Sequence, residues 1–422
     1  MTLSEKIIAR AAGRNSVSPG EIVTCAVDLA MIHDSGGPRR VKPILDRLGV
    51  GIWDPRKVVL ITDHYVPASD AESRDIQRIT RAFAADQKIA NFYDQQGICH
   101  VVLPERGHLR PGMFVVGGDS HSPTGGAFGA YMFGIGATEM AGVLATGEIW
   151  LTVPQTIRIE WTGNLGRGLS AKDMMLFLCG RLGMDGGRYQ AVEYCGEAVR
   201  ALPMQERMTL SNMAAELGAQ AGLIEPDDVT AAYLQKAGAE TCDLHCKGDA
   251  DARSVEHHIF DASSLPPQVA APHSPANAAS VKEHAGTRVD VVYIGACTGA
   301  KLADLRMAAE VLRGKQASRD VKLIVAPASL HDQEVARTEG TLQVLIDAGA
   351  QMLATSCGIC AGYGNDRFGE DVVAISSTAR NFRGRMGAAS SRVYLGSPYT
   401  TAASAIEGRI ADPRPYLDGA RQ

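Results

Sequence analysis

The stretch Met352-Leu353-Ala354-Thr355-Ser356-Cys357-Gly358-Ile359-Cys360 runs from a short apolar segment into two thiols separated by two residues. Read as a strand followed by a small-residue loop, it sets the pattern for the chain, in which chemistry is delivered at the C-terminal ends of strands. Cys-x-x-Cys alone is a weak signal, because it also fits a redox dithiol, half a zinc site or two buried cysteines. A second loop of this kind, Ile294-Gly295-Ala296-Cys297-Thr298-Gly299, ends another apolar run that begins at Val289. A closed structural zinc or iron–sulfur site takes four protein ligands, so three thiols leave one metal position open.

Around these loops the sequence alternates between strand and helix patterns. After the strand Val289 to Gly295 it predicts a helix from Leu302 to Arg313, a strand from Val321 to Val325 and a helix from Leu330 to Ala348. The strands Met352 to Thr355 and Val372 to Ser376 complete the unit. Parallel strands in one sheet place both cysteine loops on one edge. The loop Arg380-Asn381-Phe382-Arg383-Gly384-Arg385 leaves that same edge, with guanidinium groups suited to carboxylates.

The N-terminal third repeats the scheme with histidines. Ser4 is expected to cap a helix to about Ala12, followed by a strand from Glu21 to Val27, then Asp28, His33 and Asp34. Val58 to Thr62 is a β-branched strand that delivers Asp63-His64. Residues 69–94 read as helix, Gly97 to Leu103 as a strand presenting His100, and Gly112 to Gly118 as a strand delivering Asp119-Ser120-His121. Pro123 to Gly136 is a glycine-rich connection and Ala137 to Trp150 a helix. The glycines match neither a P-loop nor a dinucleotide fingerprint. The middle segment predicts a strand from Thr156 to Trp161, a helix from Ser170 to Leu182 with a Ser170…Asp173 capping pair, a strand from Gln190 to Tyr194 carrying Glu193, and a helix from Met208 to Gly222. Cys242, His245 and Cys246 lie in a polar stretch without a fourth candidate ligand and read as bland. Ser263 to Ser280 is a Pro-rich linker. The expected fold class is α/β, with three domains of mainly parallel sheet at 1–153, 154–285 and 286–422.

The 422 residues are 45% hydrophobic and 21% charged with a net charge of −5, a composition that gives no electrostatic reason for a nucleic-acid partner. Nine scattered cysteines argue for a reducing compartment and against a disulfide framework. With no secretory leader and no apolar run long enough to span a membrane visible, the expected location is the cytoplasm.

In combination, Asp28…His33-Asp34, Asp63-His64, Gly97-Ile98-Cys99-His100, Gly118-Asp119-Ser120-His121, Glu193-Tyr194, Cys297-Thr298, Cys357-Gly358-Ile359-Cys360 and the 380–385 loop resemble the aconitase superfamily, in its branch of 3-isopropylmalate dehydratase large subunits. The resemblance runs from Asp28 to Arg385. It implies an aconitase-like fold without the swivel domain and a [4Fe-4S] cluster on Cys297, Cys357 and Cys360. It further implies a hydro-lyase acting on a 2-hydroxy di- or tricarboxylate, as in leucine biosynthesis. Asp63 would orient His64 as the acid, His100 would work with Asp119, and His121 would pair with Glu193. His33, Ser120, Arg380 and Arg385 would meet the substrate.

Two positions depart from the family pattern, Gly299 and Ala379, where it usually has asparagines; amide donors near a cluster tune and hold it. The resemblance also implies an obligate small subunit, supplied as a separate chain, that carries the swivel domain. A paralogous hydro-lyase acting on homoaconitate, dimethylmalate or methylmalate is the first alternative. A cluster-sensing RNA-binding protein is an alternative of another class, disfavoured by the acidity. A zinc or dithiol redox protein would leave the Asp-His pairs and arginines without a role.

Overall fold

In the computed structural model, residues 1–239 and 244–417 are described. The chain forms two compact units, one of residues 1–95, 99–162 and 187–260 and the other of 96–98, 163–186 and 261–422. The expected boundaries at 153 and 285 are therefore not where compactness divides the chain. The middle segment is shared, because its helix Ala171–Leu182 and the residues from 261 onward pack with the C-terminal sheet.

The first unit is organised on a five-stranded parallel sheet in the order Asn91–Asp94, Val58–Thr62, Leu29–His33, Phe114–Gly117, Tyr131–Gly134. Its central strands are buried on both faces, which is why they read as continuous apolar runs. A four-stranded sheet in the order Ala221–Ile224, Ala191–Cys195, Thr156–Thr162, Glu256–Asp261 and an antiparallel ribbon, Ile22–Ala26 with Glu148–Thr152, complete it. The second unit has one seven-stranded sheet. Ala278–Ser280 and Arg392–Gly396 each pair antiparallel with Gln268–Ala270 between them, and Arg392–Gly396, Val373–Ser376, Val291–Ile294, Lys322–Val325 and Gln351–Met352 are parallel in that order. The chain is thus α/β with mainly parallel sheets.

Several elements differ from the sequence reading, each for a local reason. Thr2, not Ser4, caps the first helix, Leu3–Ala11, in a capping box with Glu5. Cys99–Glu105 is a helix rather than a strand. Its first N–H, on Cys99, is taken by Asp63 Oδ2 at 2.8 Å, a tertiary cap that overrides the β-branched composition. Left-handed glycines stop three expected helices early. Gly147 (φ 76°) gives way to the strand Glu148–Thr152, Gly218 (φ 72°) lies before the strand Ala221–Ile224, and Gly340 (φ 84°) divides Leu330–Thr338 from Thr341–Asp347. Residues 69–94 are the helix Ala71–Asp86 and then the strand Asn91–Asp94. Two strands lie within the Pro-rich segment. Cys246 is half-buried against the first unit's core, while Cys242 lies outside the described residues. Among the described residues, no helix is long and apolar enough to cross a membrane.

Candidate active site

The parallel strands Leu29–His33, Val58–Thr62 and Phe114–Gly117 are neighbours, so their C-terminal ends bring His33-Asp34, Asp63-His64 and Asp119 together. Asp63 Oδ1 stands 2.6 Å from His64 Nδ1. Both Asp63 and Asp34 are fully buried, and Asp34 accepts the backbone N–H groups of His64 and Tyr65 at 3.1 Å each. Burial opposes an imidazolium here, but the Asp63 carboxylate, with Asp34 and Asp119 behind it, outweighs burial and raises His64 to about 10. Burial likewise opposes the Asp63 carboxylate, yet His64 holds it down at about 2. Asp34 goes the other way, up to about 6, through burial and the like charge of Asp63. His64 is thus a charged donor locked in orientation by its neighbour.

His33 stacks on His64 with ring centroids 4.4 Å apart. Burial, then the charge on His64, lowers it to about 4, so it is neutral at pH 7. Its Nε2 is buried without a hydrogen-bond partner among the described residues, 3.9 Å from Asp119 Oδ2. His100 Nε2 lies 2.9 and 3.0 Å from the two oxygens of Asp119, the expected partnership. Burial opposes the Asp119 carboxylate, but the surrounding histidines, His100 first, hold it well below the usual range. Ser120 is exposed beside it.

His121 does not pair with Glu193. Its Nε2 lies 3.1 Å from Glu216 Oε1, and Glu216 is fully buried in the short 3-10 turn Met213–Leu217. Glu193 is engaged elsewhere, accepting the N–H and hydroxyl of Ser4 at 2.9 and 3.0 Å, with burial raising its pKa. The signal for Glu216 was present in the sequence: a lone carboxylate in the apolar run Met213-Ala214-Ala215-Glu216-Leu217.

In the second unit, Cys297 follows Val291–Ile294, Cys357 and Cys360 follow Gln351–Met352, and Arg380 and Arg385 follow Val373–Ser376. All five therefore leave the same edge of the parallel sheet. Cys357 opens the 3-10 turn Gly358–Ala361, which contains Cys360. Gly362 closes that turn against the other loop, since a Cβ there would lie 2.6 Å from Arg385 O. Ile359, between the two thiols, packs in one cluster with Tyr293, Phe368 and Met386. Ala296, just before Cys297, adopts φ 71°, an uncommon conformation for a residue with a Cβ and a mark of a constrained loop. Three soft sulfur donors suit an iron–sulfur cluster, and Arg385 Nε, buried without a hydrogen-bond partner among the described residues, suits an electronegative group beside them.

The loops also explain one departure from the family pattern. A Cβ at Gly299 would lie 2.2 Å from Ser377 Oγ and 2.5 Å from Ser377 O, and that hydroxyl is already committed to the carbonyls of Gly295 and Gly299. Asparagine has no room there because Ser377 fills the space. Gly299→Ala is expected to destabilise the protein by about 1–3 kcal/mol, the usual cost of overpacking, read as a lower denaturation midpoint; an unchanged midpoint would show that the loop relaxes freely.

Comparison with known proteins agrees with this architecture. The family model described as the Aconitase family (aconitate hydratase) matches residues 5–287 and 282–408. The 3-isopropylmalate dehydratase large subunit 1 of Methanopyrus kandleri is 47% identical over 99% of both chains. A probable methanogen homoaconitase large subunit of Methanothermobacter thermautotrophicus is 43% identical over 98% of each. Among solved structures, Thermococcus kodakaraensis aconitase X in its holo-form matches with a TM-score of 0.54 at 12% identity, covering 90% of each chain, a likeness of fold. The chain therefore belongs to the aconitase family, a family of hydro-lyases, and that membership implies an iron–sulfur cluster.

Proposed function

We propose that the chain is the catalytic large subunit of a hydro-lyase that dehydrates and rehydrates a 2-hydroxy dicarboxylate of the 3-isopropylmalate type. The observation that carries this reading is the Asp63–His64 pair, a buried imidazolium held at 2.6 Å by a carboxylate at the end of a parallel strand. Hydroxide is a poor leaving group at neutral pH, and a fixed donor that protonates it as the C–O bond breaks removes much of that barrier. The pairs His100–Asp119 and His121–Glu216 supply further proton-holding positions in the same unit.

Cys297, Cys357 and Cys360 would hold a [4Fe-4S] cluster. Bound there, the cluster supplies a Lewis-acidic iron for the substrate hydroxyl and carboxylate. Arg380 and Arg385 present guanidinium groups to the carboxylates of the substrate, and His33 and Ser120 offer neutral polar contacts. Asn381 steadies the arginine loop, its amide donating to the carbonyls of Ala271 and Val393 at 2.9 and 2.8 Å.

Relatives that match over nearly their whole length are named large subunits, which supports a separate small subunit as an obligate partner. The nine cysteines, scattered through the chain rather than spaced as a framework, support a reducing, cytoplasmic setting. A homoaconitase reading stands second, favoured by the 43% identity to the methanogen protein.

The test is to reconstitute the chain with iron, sulfide and the small subunit and follow alkene absorbance with 3-isopropylmalate, homoaconitate, dimethylmalate and methylmalate. Selective turnover of the first supports the reading. Turnover of homoaconitate instead selects the second reading, and full activity without the small subunit sinks the partner.

A further inference from the structure

Two lysines of the second unit are buried, Lys301 at 0% and Lys172 at 1% exposure, and neither belongs to the machinery described above. Lys301 is locally answered. It stands at the start of the helix Leu302–Leu312, and its Nζ lies 2.6 Å from Asp304 Oδ2 while donating to Cys297 O at 2.9 Å. Lys172 reaches between separate segments of the chain. It is the second residue of the helix Ala171–Leu182, at the positive end of the helix dipole, where a cation is disfavoured. Its ammonium donates to Thr378 O at 2.5 Å, Ser377 O at 3.2 Å and Thr298 Oγ1 at 3.5 Å. Thr298 Oγ1 in turn donates to Ser377 O at 3.1 Å.

These contacts reach two separate loops. Thr298 adjoins Cys297, and Thr378 lies two residues before Arg380, whose carbonyl accepts the Thr378 hydroxyl at 3.3 Å. Burying an ammonium costs several kcal/mol before compensation, and an apolar residue of similar length would avoid that cost. An ammonium kept here against burial and the helix dipole ties the Cys297 loop, through Thr298, to the loop that leads to Arg380.

We propose that Lys172 is a positioning residue of the iron–sulfur site, whose ammonium clamps the Cys297 loop to the Arg380 loop and favours the more reduced, more negative state of the cluster. The proposal rests on the assignment of the cluster to Cys297, Cys357 and Cys360. Positive charge and hydrogen bonding near a cluster raise its reduction potential, and partners that hold ligand loops typically change metal retention about 10–100-fold.

The experiment compares wild-type, Lys172→Met and Lys172→Arg full-length chains, reconstituted anaerobically. It measures iron loss to a chelator, the reduction potential of the cluster and the melting temperature of the iron-free protein. Lys172→Met is expected to lose iron about 10–100-fold faster and to shift the potential to more negative values, with Lys172→Arg restoring most of both. Iron retention and potential unchanged in Lys172→Met, with only the melting temperature lowered, would overturn the proposal in favour of a merely structural lysine. If Lys172→Met does not fold, Thr298→Val reads the same link from the other side; a shift in the same direction supports the clamp, and none overturns it. A wild-type chain that takes up no iron would instead overturn the cluster assignment, and the proposal with it.

Discussion

Replacing His64 by Asn is expected to lower kcat/KM for dehydration about 10²–10⁴-fold, the usual contribution of a positioned general acid, with the iron content unchanged. Stopped-assay turnover beside iron analysis checks it; a loss below about threefold would exclude His64 as the proton donor. The companion variant Asp63→Asn keeps an oxygen for the Cys99 N–H and removes the charge that raises His64. Because His64 stays protonated up to about 10 in the native protein, Asp63→Asn should draw the alkaline limb of the pH–rate profile down toward 6.5, the ordinary histidine value.

The same groups make stability depend on pH. His64, raised in the fold, contributes stability that is fully present below pH 6.5 and is lost as pH rises through about 10. Asp63, depressed in the fold, contributes stability that is present above pH 3.8 and lost as pH falls through about 2. Two neighbours narrow this window. His33, depressed to about 4, favours the fold fully above pH 6.5 and gives that up as pH falls through about 4. Asp34, raised to about 6, withdraws stability as pH rises from 3.8 through about 6. Denaturation midpoints across pH should therefore flatten in Asp63→Asn on the alkaline side.

Cys360→Ala is expected to abolish cluster assembly. Reconstituted wild-type protein should carry about four irons per chain with broad visible absorption, and the variant should carry almost none. Cys297→Ala and Cys357→Ala should behave alike, because a cluster held by three thiolates has no spare ligand. Cys25→Ala serves as the control, its thiol being buried in the core and pushed by burial up to about 12. A Cys360→Ala protein that remained brown with full iron would show that this thiol is only a core residue.

Some of this architecture was legible in local pattern. The strand Val58–Thr62 and the Ser170-capped helix Ala171–Leu182 lie where sequence reasoning puts them, because a continuous β-branched run and a capping box are short-range signals. The apolar stretch from Ile98 to Leu103 carried no such decision. It is buried throughout, without the alternation that separates strand from helix, and the Asp63 cap decided for helix. Glu193 and Glu216 show the same limit at the level of the site. Both are carboxylates on largely apolar elements, Glu193 half-buried and Glu216 fully buried, and only the packing of the turn Met213–Leu217 beside His121 shows which one the histidine meets.

The sequence by itself determined the α/β class, the three thiols and the aspartate–histidine adjacency at 63–64, since these depend on residue type and on neighbours in the chain. Tertiary structure alone decided what Met352 to Cys360 could not: that its loop closes on the backbone of Arg385. It also decided that His121 meets Glu216, that Ser377 leaves no room for a side chain at 299, and that Lys172 reaches both loops. The physical reason is that hydrogen-bond partners and steric exclusion between distant segments are set by strand order and register, which no local window of sequence contains.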